Sequence, residues 1–221
     1  TDITEGKRQE RLVSMGQVAA HLSHEIRNPI GSVSLLASTL LKKVDPSVKP
    51  LVTEIKKAIW RVDRIIKATL LFTKNFHINP SVFYLDKFIK ECEKTVGNYS
   101  YTKPIIFRFE LPHIEIKGDF ELLNLVLQNF ISNAIDAIEE SENESGCVCI
   151  VHQPDETSII LHIIDDGKAI ENENILFEPF KTTKTKGNGL GLALSLQIIQ
   201  AHNGKIKLLE HTKGFEIKLG K

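Results

Sequence analysis

The chain has 221 residues, 42% of them hydrophobic and 25% charged, which is enough apolar material for a core in each of two modest domains. Its 28 basic and 28 acidic residues cancel, with no long run of either sign, which excludes the electrostatic footprint of a nucleic-acid or anionic-membrane binder. No stretch approaches the roughly 18 to 20 uninterrupted apolar residues of a membrane span, Thr1 to Arg11 is polar rather than a signal peptide, and Cys92, Cys147 and Cys149 lack zinc-ligand spacing. The expectation is a cytoplasmic chain with reduced cysteines, no nucleic-acid partner and no membrane contact.

From the N-terminus, apolar residues fall at Leu12, Met15, Ala19, Leu22, Ile26, Val33, Leu36 and Leu40. This three-four alternation predicts one long helix, interrupted only by Pro29. After a break at Val44-Asp45-Pro46 and Pro50 the pattern resumes at Leu51, Ile55, Ile59, Val62, Ile65, Ile66, Thr69 and Phe72, a second long helix. Two such helices joined by a short turn form an antiparallel hairpin with one apolar side uncovered. Pairing two hairpins into a four-helix bundle covers that side, so a homodimer is expected.

Asn79-Pro80 ends the helical stretch, and a mixed domain begins. The pattern predicts a helix over Leu85 to Val96, a strand over Ile105 to Leu111 and a helix from Asp119 to about Glu140. Strands over Val148 to His152 and Ser158 to Ile164 follow, then an irregular stretch, a helix over Gly189 to His202, and strands around Ile206 and Ile217. That order suits helices layered on one mixed sheet. The domains are therefore residues 1–76 and 77–221.

In Ser23-His24-Glu25-Ile26-Arg27-Asn28-Pro29, taking Leu12, Ala19, Ile26, Val33 and Leu40 as heptad a positions puts His24 at f, away from the seam. An exposed imidazole with a pKa near 6.5 offers a neutral nucleophile at neutral pH. Glu25 could hold the other ring proton and stabilise positive charge as the ring attacks. Pro29 cannot donate to the carbonyl of Glu25, which loosens the helix there. Asn28 lies one turn after His24 and borders the same surface; its carboxamide can position a water but takes no proton at neutral pH. A bare His-Glu pair is more often a solvated polar face, the reading that fits His21.

Three further patterns sit in the second domain. Asn129 and Asn133 are four apart and project from one helical face. Their oxygens suit Mg²⁺, which needs only one or two protein ligands when it keeps waters and bridges phosphates. Taken alone, such a pair is more often polar surface. An apolar strand runs into Asp165-Asp166-Gly167-Lys168-Ala169, where a carboxylate emerges into a turn. Gly187-Asn-Gly189-Leu-Gly191-Leu192 precedes an apolar helix and would let backbone N–H groups and a helix N-terminus face a phosphate. It follows Leu176-Phe177-Glu178-Pro179-Phe180-Lys181-Thr182-Thr183-Lys184.

These strings, in this order and over most of the chain, resemble the H-box, N-box, G1 box and F-box with glycine-rich lid of two-component sensor histidine kinases. The resemblance implies a dimeric helical-hairpin four-helix bundle for phosphotransfer, followed by a Bergerat (GHKL) α/β sandwich that binds ATP and Mg²⁺. By the same resemblance His24 accepts the γ-phosphoryl group and passes it to the receiver domain of a response regulator, with Glu25 assisting and Asn28 serving dephosphorylation. Asn133, with Asn129, would reach the metal, and Asp165 would accept a hydrogen bond from the adenine amino group beside Gly167. Phe177, Lys184, Gly187, Gly189, Gly191 and Leu192 would complete the nucleotide site. The Phe-Glu-Pro-Phe form resembles the nitrogen-regulation branch. Ala169 departs from the second G1 glycine, and Asp136 from a common Lys or Arg. Two other readings share features: a water-hydrolysing ATPase of the same fold, matched by Asn133-Ala-Ile-Asp136-Ala137 but with Ser132 where its general-base Glu would stand, and a degenerate kinase that only dimerises and docks a partner.

Overall fold

The computed structural model describes residues 28–73, 77–170, 172–181 and 189–220. The chain divides into two compact units, residues 1–76 and 77–221.

In the first unit, α1 (residues 28–43) and α2 (Lys49–Thr73) are joined by a short turn. Asp45 organises the turn: its Oδ1 accepts from the Ser47 backbone N–H (2.9 Å) and hydroxyl (2.7 Å), and these bonds hold its carboxyl below the usual range. The least exposed positions of α1 fall at 30, 34, 37, 38 and 41, and those of α2 include Val52, Ile59, Ile66 and Ala68. Small residues such as Ser34 and Ala37 on this face suit a close antiparallel helix contact. The stripe read from the sequence therefore splits. Ile59 and Ile66 are half-buried, whereas Val33, Leu36, Leu40, Leu51, Ile55, Val62 and Ile65 stand exposed, Leu36 at 68% and Leu51 at 64%. The α1 face at 30, 34, 37 and 41 is not marked by the pattern because Ser34 and Ala37, with little hydrophobic signal, separate Ile30 from Leu41.

The second unit holds α3 (Lys87–Asn98), α4 (Phe120–Glu139) and α5 (Gly191–Ala201). Strands β2 (Ile105–Glu110), β4 (Gly146–Gln153), β5 (Ser158–Asp165), β6 (Lys205–Leu208) and β7 (Gly214–Gly220) form a five-stranded sheet in the order β2-β4-β5-β7-β6. The β2–β4 pair is parallel and the others antiparallel. The expected mixed sheet is present, with helices where the pattern put them. A separate pair, β1 (Ser81–Tyr84) against β3 (Glu115–Gly118), was not foreseen. Each strand is four residues long and too short for period-two alternation to register.

Residues along β4 and β5 alternate between buried and half-buried. Val148, Ile150, Ile159, Leu161 and Ile163 enter a core shared with Val126, Phe130, Ile131, Ile135 and Ile138 of α4 and Leu194, Ile198 and Ile199 of α5. Cys147 and Cys149 lie on the other face of β4 as free thiols, their sulfurs 3.5 Å apart, and Cys92 is buried and free. Among the described residues, no helix is long and apolar enough to cross a membrane.

Helix α4 is pinned at both ends. Asp119 caps it: Oδ1 accepts from Leu122 N–H (3.1 Å), Oδ2 accepts from Asn79 N–H (2.9 Å), and its own N–H donates to His202 Nε2 (2.9 Å). At the other end Lys103 donates to the carbonyls of Ile138 (2.8 Å) and Ser141 (2.6 Å), satisfying acceptors a helix terminus leaves open. Glu139 accepts from the Lys103 and Thr102 backbone N–H groups and the Thr102 hydroxyl. Burial acts to raise its pKa, but these bonds and the Lys103 ammonium hold the carboxyl below the usual range. Replacing Asp119 by alanine should lower the stability of this unit by about 1 kcal/mol, the usual value of an N-cap. Urea unfolding followed by far-UV dichroism should show a lower midpoint with an unchanged slope.

Candidate functional site

The site is built around α4. Asp165 ends β5 as a buried carboxylate, and its Oδ1 accepts from Gly167 N–H (3.0 Å) and from the Lys213 ammonium. The loop that follows lies directly on the α4 backbone: Lys168 N–H donates to Ala137 C=O (2.8 Å). A Cβ at Gly167 would stand 2.4 Å from the Ala137 carbonyl carbon and 2.5 Å from Ile138 N, which leaves room for glycine alone. Asp166 fastens the loop from the other side, its Oδ1 accepting from Cys147 N–H (2.8 Å) and its carbonyl from Asn143 Nδ2 (3.1 Å). Ala169, at the departed glycine position, is exposed.

Ala137 lies one helical turn after Asn133, so this contact sets the Asp165–Gly167 turn beside the half-buried Asn133. One turn earlier Asn129 is buried, and its Nδ2 donates to Gly191 C=O (3.1 Å) and Ser195 Oγ (3.2 Å). The Ser195 hydroxyl donates to the same carbonyl (2.8 Å). Asn129 thus ties the first turn of α5 to α4, a use of its amide that spacing alone did not reveal. Asp136 accepts from the Tyr99 hydroxyl (2.8 Å) and so joins α4 to the end of α3.

The glycine-rich segment enters α5 through Gly189, Leu190 and Gly191, with Leu192 half-buried on the first turn. Gly189 has φ 67°. A Cβ there would meet the backbone N and O of Lys181 at 2.7 Å, and Phe180 N–H donates to Gly189 C=O (3.1 Å). Phe177 packs edge-on against Phe215 with centroids 6.3 Å apart, and Phe215 packs on Phe130 of α4 at 4.9 Å. The two flanks of the lid segment are thus joined to each other and to the core.

The structure therefore brings together Asn129, Asn133, Asp165, Gly167, Phe177, Gly189, Gly191 and Leu192. Asn28 is exposed at the start of the described part of α1. His24, Glu25, Lys184 and Gly187 lie outside the described residues. Lys213 was missed by sequence reading, since no motif marks it. Its place follows from β-pairing: Ile164 opposes Gly214, and Asp165 N–H donates to Lys213 C=O (3.3 Å).

Two family models match the chain. The His Kinase A (phospho-acceptor) domain covers residues 14–75, and the histidine kinase-, DNA gyrase B- and HSP90-like ATPase covers residues 118–220. The chain is 54% identical over 221 residues to the sensor histidine kinase FlgS of Helicobacter pylori, covering 99% of this chain and 58% of that protein. It is 31% identical over 212 residues to the sensor histidine kinase ZraS of Escherichia coli K12, covering 92% and 44%. It thus spans roughly half the length of these curated relatives. In fold it is similar to the Acinetobacter baumannii histidine kinase AdeS, with TM-score 0.56 and 22% identity over 89% of this chain and 97% of that one. Full-length ShkA, solved with AMPPNP, gives TM-score 0.58 and 20% identity over 92% of this chain and 45% of that one. With a phosphoacceptor hairpin followed by the ATPase fold, and relatives of this kind along nearly its whole length, the chain belongs to the sensor histidine kinases and represents their transmitter region.

Proposed function

We propose that this chain transfers the γ-phosphoryl group of ATP to His24 and then to an aspartate of a response regulator's receiver domain, acting in the cytoplasm. The observation that carries this reading is the convergence of Asn133, the Asp165–Gly167 turn and the Gly191 start of α5 on one helix, supported by the His-Glu-Ile-Arg-Asn-Pro string. Asp165 accepts a hydrogen bond from the adenine amino group, and the close approach at Gly167 sets the floor beneath the base. The N–H groups at Gly189 and Gly191 and the N-terminus of α5 face the phosphates, and the glycine-rich string offers Gly187 and Lys184, both outside the described residues, as further phosphate contacts. Phe177 holds the lid flank on the core.

Among the described residues, no group of three or more His, Cys, Asp or Glu could hold a metal. That fits a cation which takes most of its ligands from phosphate and water. The carboxamide oxygen of Asn133, with Asn129 one turn away, would hold Mg²⁺, which when bound neutralises charge on the phosphates. A neutral ring nitrogen of His24 attacks the γ-phosphorus, the bond to the β-γ bridging oxygen breaks and ADP departs, while Glu25 stabilises the cationic ring. The receiver's aspartate carboxylate then attacks phosphorus and the phosphorus–nitrogen bond breaks, returning the electron pair to the imidazole. Asn28 positions a water in line for the reverse duty, hydrolysis of the partner's phospho-aspartate. The Phe177-Glu178-Pro179-Phe180 form supports placement in the nitrogen-regulation-like branch.

The exposed stripe of the hairpin supports a homodimer closed as a four-helix bundle. Covering such residues contributes about 25 cal/mol per Å² that an isolated hairpin forgoes. Sedimentation at micromolar concentration should give twice the chain mass, and a monomer there would contradict the bundle.

With labelled ATP, His24→Gln should abolish an acid-labile, alkali-stable label while leaving the fold intact, and His21→Gln should retain it. Persistent label on the first variant would remove His24 from the reaction. Asn28→Ala should keep most self-phosphorylation but slow partner dephosphorylation, whereas Glu25→Ala should lose self-phosphorylation first. Parallel loss of both activities in both variants would refute that division.

A further inference from the structure

The buried pair of Asp165 and Lys213 has a chemistry that neither residue has alone. The sheet fixes it: Ile164 of β5 opposes Gly214 of β7, Asp165 N–H donates to Lys213 C=O, and the Lys213 ammonium donates to Asp165 Oδ1. Both side chains are largely covered, at 8% exposure for Asp165 and 19% for Lys213. Gly167 N–H donates to the same carboxylate oxygen (3.0 Å), which fixes the carboxylate's orientation. An ammonium carries three donors, and the bond to Oδ1 uses one.

The pair therefore presents a hydrogen-bond acceptor beside a charged donor. The Watson–Crick edge of adenine presents the complement: the exocyclic amino group donates, and the adjacent ring nitrogen N1 accepts. These two atoms are separated by one ring carbon, close to the spacing of two groups already in hydrogen-bond contact. We propose that Lys213 is a specificity-determining residue for the nucleobase, donating to adenine N1 while Asp165 accepts from the amino group. This deepens the reading of Asp165 as the adenine contact and rests on it. A neutral side chain at 213 would leave N1 without a protein donor and Asp165 without its cation.

The test is a two-ligand, two-variant comparison on the full chain, with ATP and 1-deaza-ATP, in which N1 is replaced by C–H. Binding is read by calorimetry. The natural chain should bind ATP about tenfold more tightly than 1-deaza-ATP, the size expected for a hydrogen bond to a charged donor. Lys213→Met should weaken ATP binding by about the same factor and bind the two ligands nearly equally, while Lys213→Arg should restore part of the preference for ATP. If Lys213→Met weakens both ligands alike and keeps the preference, Lys213 only positions Asp165 and the proposal fails. Unchanged or tighter ATP binding by Lys213→Met also overturns it, the latter marking Lys213 as a competitor of the base. Asp165→Asn separates the two readings: if it leaves ATP affinity unaltered, the adenine site itself is misplaced, whereas a loss there with no N1-dependent effect of Lys213 overturns this inference alone. Thermal unfolding of each variant distinguishes lost contact from lost fold, and Lys213→Arg supplies the decisive comparison if the methionine variant does not fold.

Discussion

Backbone lies against backbone where the turn after β5 crosses α4, and the arrangement of the site depends on that contact. The distance of 2.4 Å from an ideal Gly167 Cβ to the Ala137 carbonyl carbon admits no side chain, and the Lys168 to Ala137 hydrogen bond closes the crossing. Asp165 is then held beside the turn of α4 that carries Asn133. The same helix, one turn earlier, holds α5 through Asn129. The Asp165–Gly167 turn and the start of α5 are thus referred to one rigid element, itself fixed by Asp119 and His202 at one end and by Lys103 and Glu139 at the other. Rigid elements set the geometry, and the lid flanks are fastened to them at Phe177 and Gly189.

The hairpin works by another principle. Its first helix has two faces of different grain: one on which Ser34 and Ala37 follow Ile30, and one with the exposed Val33, Leu36 and Leu40, joined by the exposed apolar residues of α2. The fine-grained face suits close approach of two helices. The coarse face is left open, and an open apolar stripe of that length is costly in water. The proposed dimer and the exposure of Asn28 are consequences of the same division, because only residues off both faces stay accessible to a partner protein.

Much of this was legible in the sequence. The second long helix, the β4 and β5 strands and α4 announce themselves through strong periodicity, and their observed ends lie within a few residues of the expected ones, while the expected start of the first helix lies outside the described residues. The strings around Asn133, Asp165, Gly189 and Gly191 stand out in the sequence because their signal is local, a few residues in a recognisable order. What escaped was non-local or weakly hydrophobic. The β1–β3 pair is too short for alternation to register. The role of Asn129 depends on where α5 begins, more than sixty residues away. Lys213 meets Asp165 only because β5 and β7 pair in one register, and no string around Thr212-Lys213-Gly214 marks it. The inner face of α1 was hidden because Ser34 and Ala37 interrupt the apolar signal between Ile30 and Leu41.

The proposed nucleotide site lies against the crossing of α4 by the turn after β5. Hydrogen–deuterium exchange of the full chain, with and without Mg-ATP, addresses it most directly. Slower exchange with nucleotide is predicted in peptides covering 130–138, 165–170 and 189–195, with the small β1–β3 sheet unchanged. Saturating ATP that protects other regions while leaving those three at their free rates would place the nucleotide elsewhere.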